Sequence, residues 1–251
     1  GIAGDMADWH WAFAVAGVGS FGALAIVALV LPANPPAPRG EKAASALNFW
    51  PVFRDRNVMG YVCSFLGIAW EVFASRIWLV SLFVFLQAAM PEAERGWSPA
   101  VWATVVAFVG VPAAMGLGEL AVRYDRRRLL IAASAASALL AMAAGLTLGV
   151  SYELTLVLCL LFGMTSYGRN AATTAGTIAV ANPARRGATL AVQAFIGFSG
   201  GILGPLAFGV ALDGAGGATE AGAWGTALCV MAVGPVLSLI SLLLLPQSRR
   251  D

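Results

Sequence analysis

Three charged side chains stand inside stretches that are otherwise apolar: Glu71 and Arg76 within 58–87, and Arg169 within 154–181. A carboxyl group so placed can take up and release a proton. A guanidinium can hold a carboxylate or phosphate in a two-pronged hydrogen bond. A buried ion pair that fixes helix packing would use the same residue types. Facing hydrocarbon near the middle of a membrane, each would cost about 2.5–3.5 kcal/mol, so all three must face protein or water. Glu71 and Arg76 lie about 140° apart around a helix. They share no face, and the spacing favours Arg169 as the partner of at least one of them.

The run that holds Arg169 carries a second pattern. Ser166, Asn170, Thr173, Thr174 and Thr177 recur at i, i+4, i+7, i+8 and i+11, flanked by Tyr167 and Arg169. That spacing puts them on one side of a helix, where they can line a hydrophilic cavity or hydrogen-bond to neighbouring helices. Trp70 is deep enough in its run to touch a substrate or to pack. Gly197, Gly200, Gly201 and Gly204, just before Pro205, make two small-xxx-small spacings suited to close helix packing, or to bending at the proline. Gly17-Val18-Gly19-Ser20-Phe21-Gly22 fits a dinucleotide-binding pattern, but it sits in an apolar run with no strand before it, which excludes that use. His10 has no metal-ligand partners in sequence, and Cys63, Cys159 and Cys229 each lie in an apolar run as small core residues. No cofactor, metal or catalytic constellation is expected, and the chain does not read as an enzyme.

The elements that hold these residues follow from composition. Charged residues make up 11% of the 251, hydrophobic ones 59%, and the mean hydropathy is +0.81. A soluble domain carries roughly 25% charge, so the chain lacks the charge to cover a water-soluble globule. A net charge of +2 offers no field for nucleic acid. The expected fold is an all-α polytopic membrane protein in the lipid bilayer. Its spans are about 12–31, 58–87, 99–122, 129–150, 154–181, 188–212 and 222–245. A lipid-spanning barrel would need alternating residues, which these runs lack. Arg39, Lys42, Arg54 and Arg56 lie in 32–57, Arg123 and Arg126–Arg128 in the next loop on that side, then Arg185 and Arg186, then Arg249 and Arg250. Arg95 is the one basic residue in the opposite loops. Positive loops inside place the C-terminus in the cytoplasm and the N-terminus outside. Segment 32–57, with four prolines at its start and a short surface helix expected over 41–47, reads as a cytoplasmic linker between 1–31 and 58–251.

Three segments resemble the major facilitator superfamily. Gly118-Glu119-Leu120-Ala121-Val122-Arg123-Tyr124-Asp125-Arg126-Arg127 is similar to its cytoplasmic loop signature G-x-L-a-D-R-x-G-R-R, with Val122 in place of the usual Asp and Asp125 in place of Gly. Arg185-Arg186-Gly187-Ala188, followed by Gly197, Gly200, Gly201, Gly204 and Pro205, resembles the eleventh helix. Trp9-His10-Trp11-Ala12-Phe13 resembles the start of the sixth. The resemblance implies that the spans are helices six to twelve. The chain would then be a six-helix C-terminal bundle plus one preceding helix, partnered by the remaining N-terminal helices of the same transporter. It implies secondary active transport of a small-molecule substrate by alternating access in a bacterial inner membrane, with Glu71 suited to proton coupling. Arg76 and Arg169 against Glu71 leave a net positive mid-depth, which tilts the substrate toward an anion. A seven-helix receptor and a non-transporting fragment of a transporter gene are the alternatives. A retinal pigment is excluded, because the lone lysine, Lys42, is in the linker.

Overall fold

In the computed structural model the chain divides into two compact units, Gly1–Ala43 and Ala44–Asp251. Residues 9–30, 48–90 and 96–244 are described, and all regular structure in them is helical. The short helix expected over 41–47, the linker before Asn48, Arg95, and the tail with Arg249 and Arg250 lie outside the described residues.

The first unit holds α1 (Trp9–Val30), 22 residues with no Asp, Glu, Lys or Arg. At 1.5 Å per residue it is about 33 Å long, enough for the roughly 30 Å of bilayer hydrocarbon. The Ser20 hydroxyl donates to the Ala16 carbonyl at 2.9 Å, which satisfies its polar side chain within the helix.

The second unit contains α2 (Trp50–Arg54), α3 (Arg56–Ala89), α4 (Pro99–Arg123), α5 (Arg126–Leu146), α6 (Tyr152–Val180), α7 (Arg186–Gly214), α8 (Ala221–Met231) and α9 (Val233–Leu243). Local sequence sets several starts. The Asp55 carboxylate accepts from the backbone N–H groups of Asn57 and Val58 at 3.0 and 3.2 Å, and Asp125 from that of Arg128 at 2.9 Å. Ser151 accepts from Leu154 at 3.4 Å. Each satisfies an orphan donor of a first turn. The last expected span, 222–245, is broken at Ala232, whose N–H turns back to the Cys229 carbonyl. Pro235, one turn on, has no N–H to give to Met231, so the α-helical ladder cannot run through.

Six stretches among the described residues are long and apolar enough to cross a membrane: Phe13–Val30, Arg56–Ala89, Pro99–Arg123, Arg126–Leu146, Pro183–Gly214 and Ala221–Leu243. The expected span 154–181 forms α6, whose 29 residues are ample in length. Its polar stripe and Arg169 keep it out of the six. It packs instead against α3, α4 and α5. The outward faces of the bundle are apolar, as lipid requires: Phe195 is 81% exposed and Phe108 73%.

Helix α3 is the hub, touching α4, α6, α7 and α9. Glycine lets it be approached from two sides. A Cβ at Gly200 or Gly204 of α7 would collide with the carbonyl oxygens of Leu66 and Trp70, while Gly197 and Gly201 leave room for the rings of Phe65 and Phe73. On the other side Gly67 faces Gly234 of α9, each against the other's carbonyl. These contacts fit helix association in lipid, where small residues replace the missing hydrophobic drive. At one end Tyr61, Ala121, Leu130, Ala172 and Leu242 form a buried cluster that joins α3, α4, α5, α6 and α9. The basic residues at the α4–α5 turn therefore gather at the end where α3 begins and α9 stops.

Gly204→Ala forces α7 off the α3 backbone. Overpacking of this kind costs about 1–3 kcal/mol and lowers the apparent melting temperature in detergent by about 2–10 °C. Gly222→Ala, where a Cβ meets open space, leaves it unchanged.

Candidate functional site

Glu71 and Arg169 form an ion pair at the centre of the bundle, with both side chains fully buried. Arg169 Nη2 donates to Glu71 Oε1. Arg169 Nη1 donates to the hydroxyls of Ser134 and Ser238 at 2.9 and 3.3 Å, and Nε to the Thr165 carbonyl at 3.1 Å. The other carboxylate oxygen, Glu71 Oε2, accepts from Ser137 at 2.7 Å and Ser166 at 2.9 Å. Ser64 shares a hydrogen bond with Ser238 at 2.6 Å. The network ties together α3 (Ser64, Glu71), α5 (Ser134, Ser137), α6 (Ser166, Arg169) and α9 (Ser238).

Its chemistry is that of a neutral, well-partnered pair. Two charges taken from water are tolerable only with good geometry and with their remaining lone pairs and protons satisfied. Both carboxylate oxygens and all three guanidinium nitrogens have partners. In this arrangement Arg169 has little left to offer a substrate. Glu71 can change charge only if the pair opens.

Arg76 sits apart. It is exposed, with its guanidinium 5.8 Å from the Phe73 ring centroid and 5.5 Å from that of Tyr167. No carboxylate among the described residues pairs with it; Glu71 is held by Arg169 and Glu119 by Arg123. It lies about 5 Å along the helix axis from the midpoint of α3. Tyr167 packs over Gly110 of α4, where no side chain would fit. Asn170 and Thr174 follow Tyr167 at i+3 and i+7 on the same side of α6. Asn170 is exposed, and Thr174 accepts from Gln193 Nε2 of α7 at 3.0 Å.

The polar stripe on α6 therefore divides. At about 100° per residue from Ser166, Thr173, Ser166 and Thr177 fall within about 20° of zero and are fully buried. Asn170 and Thr174 fall at about 40° and 80°, on the side of Tyr167. Thr173 Oγ1 and Gln193 Oε1 are buried without a hydrogen-bond partner among the described residues. Trp70 is not brought to the Arg76 face: its indole lies against Gly234 of α9, and its Nε1 is buried without a partner. Trp78 donates to the Pro205 carbonyl at 3.0 Å and stacks on Phe208.

The loop segment has its own geometry. Arg123 and Glu119 form an exposed pair at 2.8 Å, and Gly118 borders open space. Asp125 caps α5. Arg126 has a buried Nε without a partner among the described residues. Arg127 reaches across to the end of α9, donating from Nε to the Leu242 carbonyl at 2.9 Å and from Nη2 to the Leu243 carbonyl at 3.0 Å. A cation there satisfies the orphan carbonyls of a last turn and complements the helix dipole.

Ser64, Ser134, Ser137 and Ser238 were not singled out from sequence. Ser134 and Ser137 stand three apart in an alanine-rich run, which marks a shared face. Ser238 has no such signal.

Apolar helices around a buried polar network define an all-α integral membrane protein. The sequence profile of the Major Facilitator Superfamily matches residues 1–205, and the chain belongs to that superfamily of membrane transporters. Compared with curated proteins, the chain matches none.

Arg127→Ala frees the end of α9. Backbone amides over Leu237–Leu244 then exchange about three- to tenfold faster in hydrogen-exchange mass spectrometry, while those of α8 keep their rates.

Proposed function

We propose that the chain serves as the C-terminal part of a secondary active transporter that moves a small solute by alternating access. In this reading α1 corresponds to helix six, 32–57 to the cytoplasmic linker, and 58–251 to the C-terminal bundle. That bundle works against the remaining N-terminal helices of the same transporter, in a bacterial inner membrane with the C-terminus in the cytoplasm. The positive loops support this orientation.

One observation carries the reading. Arg76, an exposed cation at membrane depth without an ion-pair partner among the described residues, would cost about 2.5–3.5 kcal/mol against lipid. Its face, with Tyr167, Asn170 and Thr174, is therefore the side that meets water and solute. Trp70 belongs to the packing behind that face. The glycines of α7 and Pro205 provide the close sliding contact along α3 that a rocking motion uses.

Coupling to a proton runs through Glu71. Protonation would neutralise the carboxylate and leave Arg169 as a lone buried charge, which is costly unless the helices shift. Proton binding and rearrangement are thereby linked without Glu71 touching the solute. The stronger role for Arg169 is to report the state of Glu71 rather than to bind substrate.

Cysteine accessibility tests this without knowledge of the substrate. In the complete transporter, made cysteine-free apart from Asn170→Cys, a membrane-impermeant thiol reagent labels position 170 from either side of the membrane. Glu71→Gln, a mimic of the protonated state, shifts the ratio of labelling from the two sides by about tenfold, the effect of a 1.4 kcal/mol change in balance. Labelling from neither side would remove the pathway assignment. An unchanged ratio in Glu71→Gln would remove the coupling role.

A further inference from the structure

We infer that the solute is a monoanion with a planar apolar body, its anionic group held by Arg76. The inference rests on the pathway assigned to that face and names the chemical class it takes.

Charge comes first. Glu71 and Arg169 cancel one another inside the bundle, and every carboxylate oxygen and guanidinium nitrogen of the pair has a partner. That leaves one uncompensated charge at mid-depth among the described residues, the guanidinium of Arg76. On this bundle's side of the pathway one cation matches one negative charge. A dianion would leave its second charge without a partner on this bundle, and a cation would be repelled by it.

Geometry refines the class. The Arg76 guanidinium carbon lies over the rings of Phe73 and Tyr167, at 5.8 and 5.5 Å. No hydrogen bond to a described residue uses its N–H groups, and a guanidinium edge matches a carboxylate in two parallel hydrogen bonds. An aromatic row leads away from the charge: Phe73 meets Phe198 edge to face at 6.0 Å, and Phe198 meets Phe65 at 6.4 Å. Phe198 is 53% exposed. A flat apolar body attached to the anionic group can lie along this row while the carboxylate stays on Arg76. On the other side of the charge, Asn170 and Thr174 offer neutral hydrogen-bonding groups.

Protection of Asn170→Cys in the complete transporter is the test, with benzoate and its neutral isostere benzamide as probes. At about 10 mM, ten times a millimolar dissociation constant, benzoate slows labelling about tenfold or more. Benzamide at the same concentration leaves the rate within about twofold, since the charge-assisted contact is missing. Arg76→Gln loses most of the benzoate protection, and Arg76→Lys, which keeps the charge without the fork, retains part of it. Arg76 is exposed, so these variants do not disturb the core. Equal protection by benzamide, full protection in Arg76→Gln, or no protection by benzoate would overturn the inference while the pathway assignment stands. If position 170 is not labelled even without probe, the pathway assignment itself fails and takes this inference with it.

Discussion

A carboxylate and a guanidinium can remain in the centre of an apolar bundle only together. Glu71 and Arg169 are both fully buried, and either alone would be an uncompensated charge away from water. The constraint reaches beyond the two residues. To saturate the pair, hydroxyls must arrive from α5 and α9 as well as from α6, and each must point inward at the right depth. Register and rotation of four helices are thereby fixed by one neutral cluster. Apolar packing in lipid specifies rotation weakly, because lipid tails and leucine side chains are equivalent neighbours.

The rest of the bundle is arranged around that requirement. α3 carries Glu71 and must be approached closely by its neighbours. Gly200 and Gly204 on one side, and Gly234 on the other, bring α7 and α9 against its backbone. α6 carries Arg169 and a polar stripe inside an otherwise apolar run, and that polarity is what completes the pair. At the basic end Arg127 fastens the last turn of α9, the helix that supplies Ser238. The loop segment that marks the family thus has a physical role in this chain, even with Asp125 and Val122 departing from the common pattern. A neutral interior also sets Arg76 in relief as the cation that must face something other than lipid.

Much of this was legible in the sequence. Apolar run lengths gave the helices to within a few residues, and basic loops gave the grouping of ends. The 140° between Glu71 and Arg76 favours Arg169 as the partner of at least one of them, and in the structure that one is Glu71. The α6 stripe was less readable. Its five residues span about 100° of arc, wide enough to straddle the boundary between the interior and the open face. Periodicity cannot say where within that arc the boundary falls. Ser64 and Ser238 were not readable either, since single serines in apolar runs usually bond to their own helix. Only the approach of α3, α5 and α9 gives them partners. The break at Ala232 was hidden because Pro235 sits in a run whose hydropathy is continuous.

The central claim is that Glu71 and Arg169 act as one unit holding four helices. A double-mutant cycle on thermal stability in detergent, with Glu71→Ala, Arg169→Ala and the pair, measures it directly. Each single change strands a buried charge and is expected to cost about 3–5 kcal/mol. The double change removes both charges, so it should be no less stable than the worse single, with a coupling of about 2 kcal/mol or more. If the two losses simply add, the residues are independent, and the pair is not what holds the bundle in register.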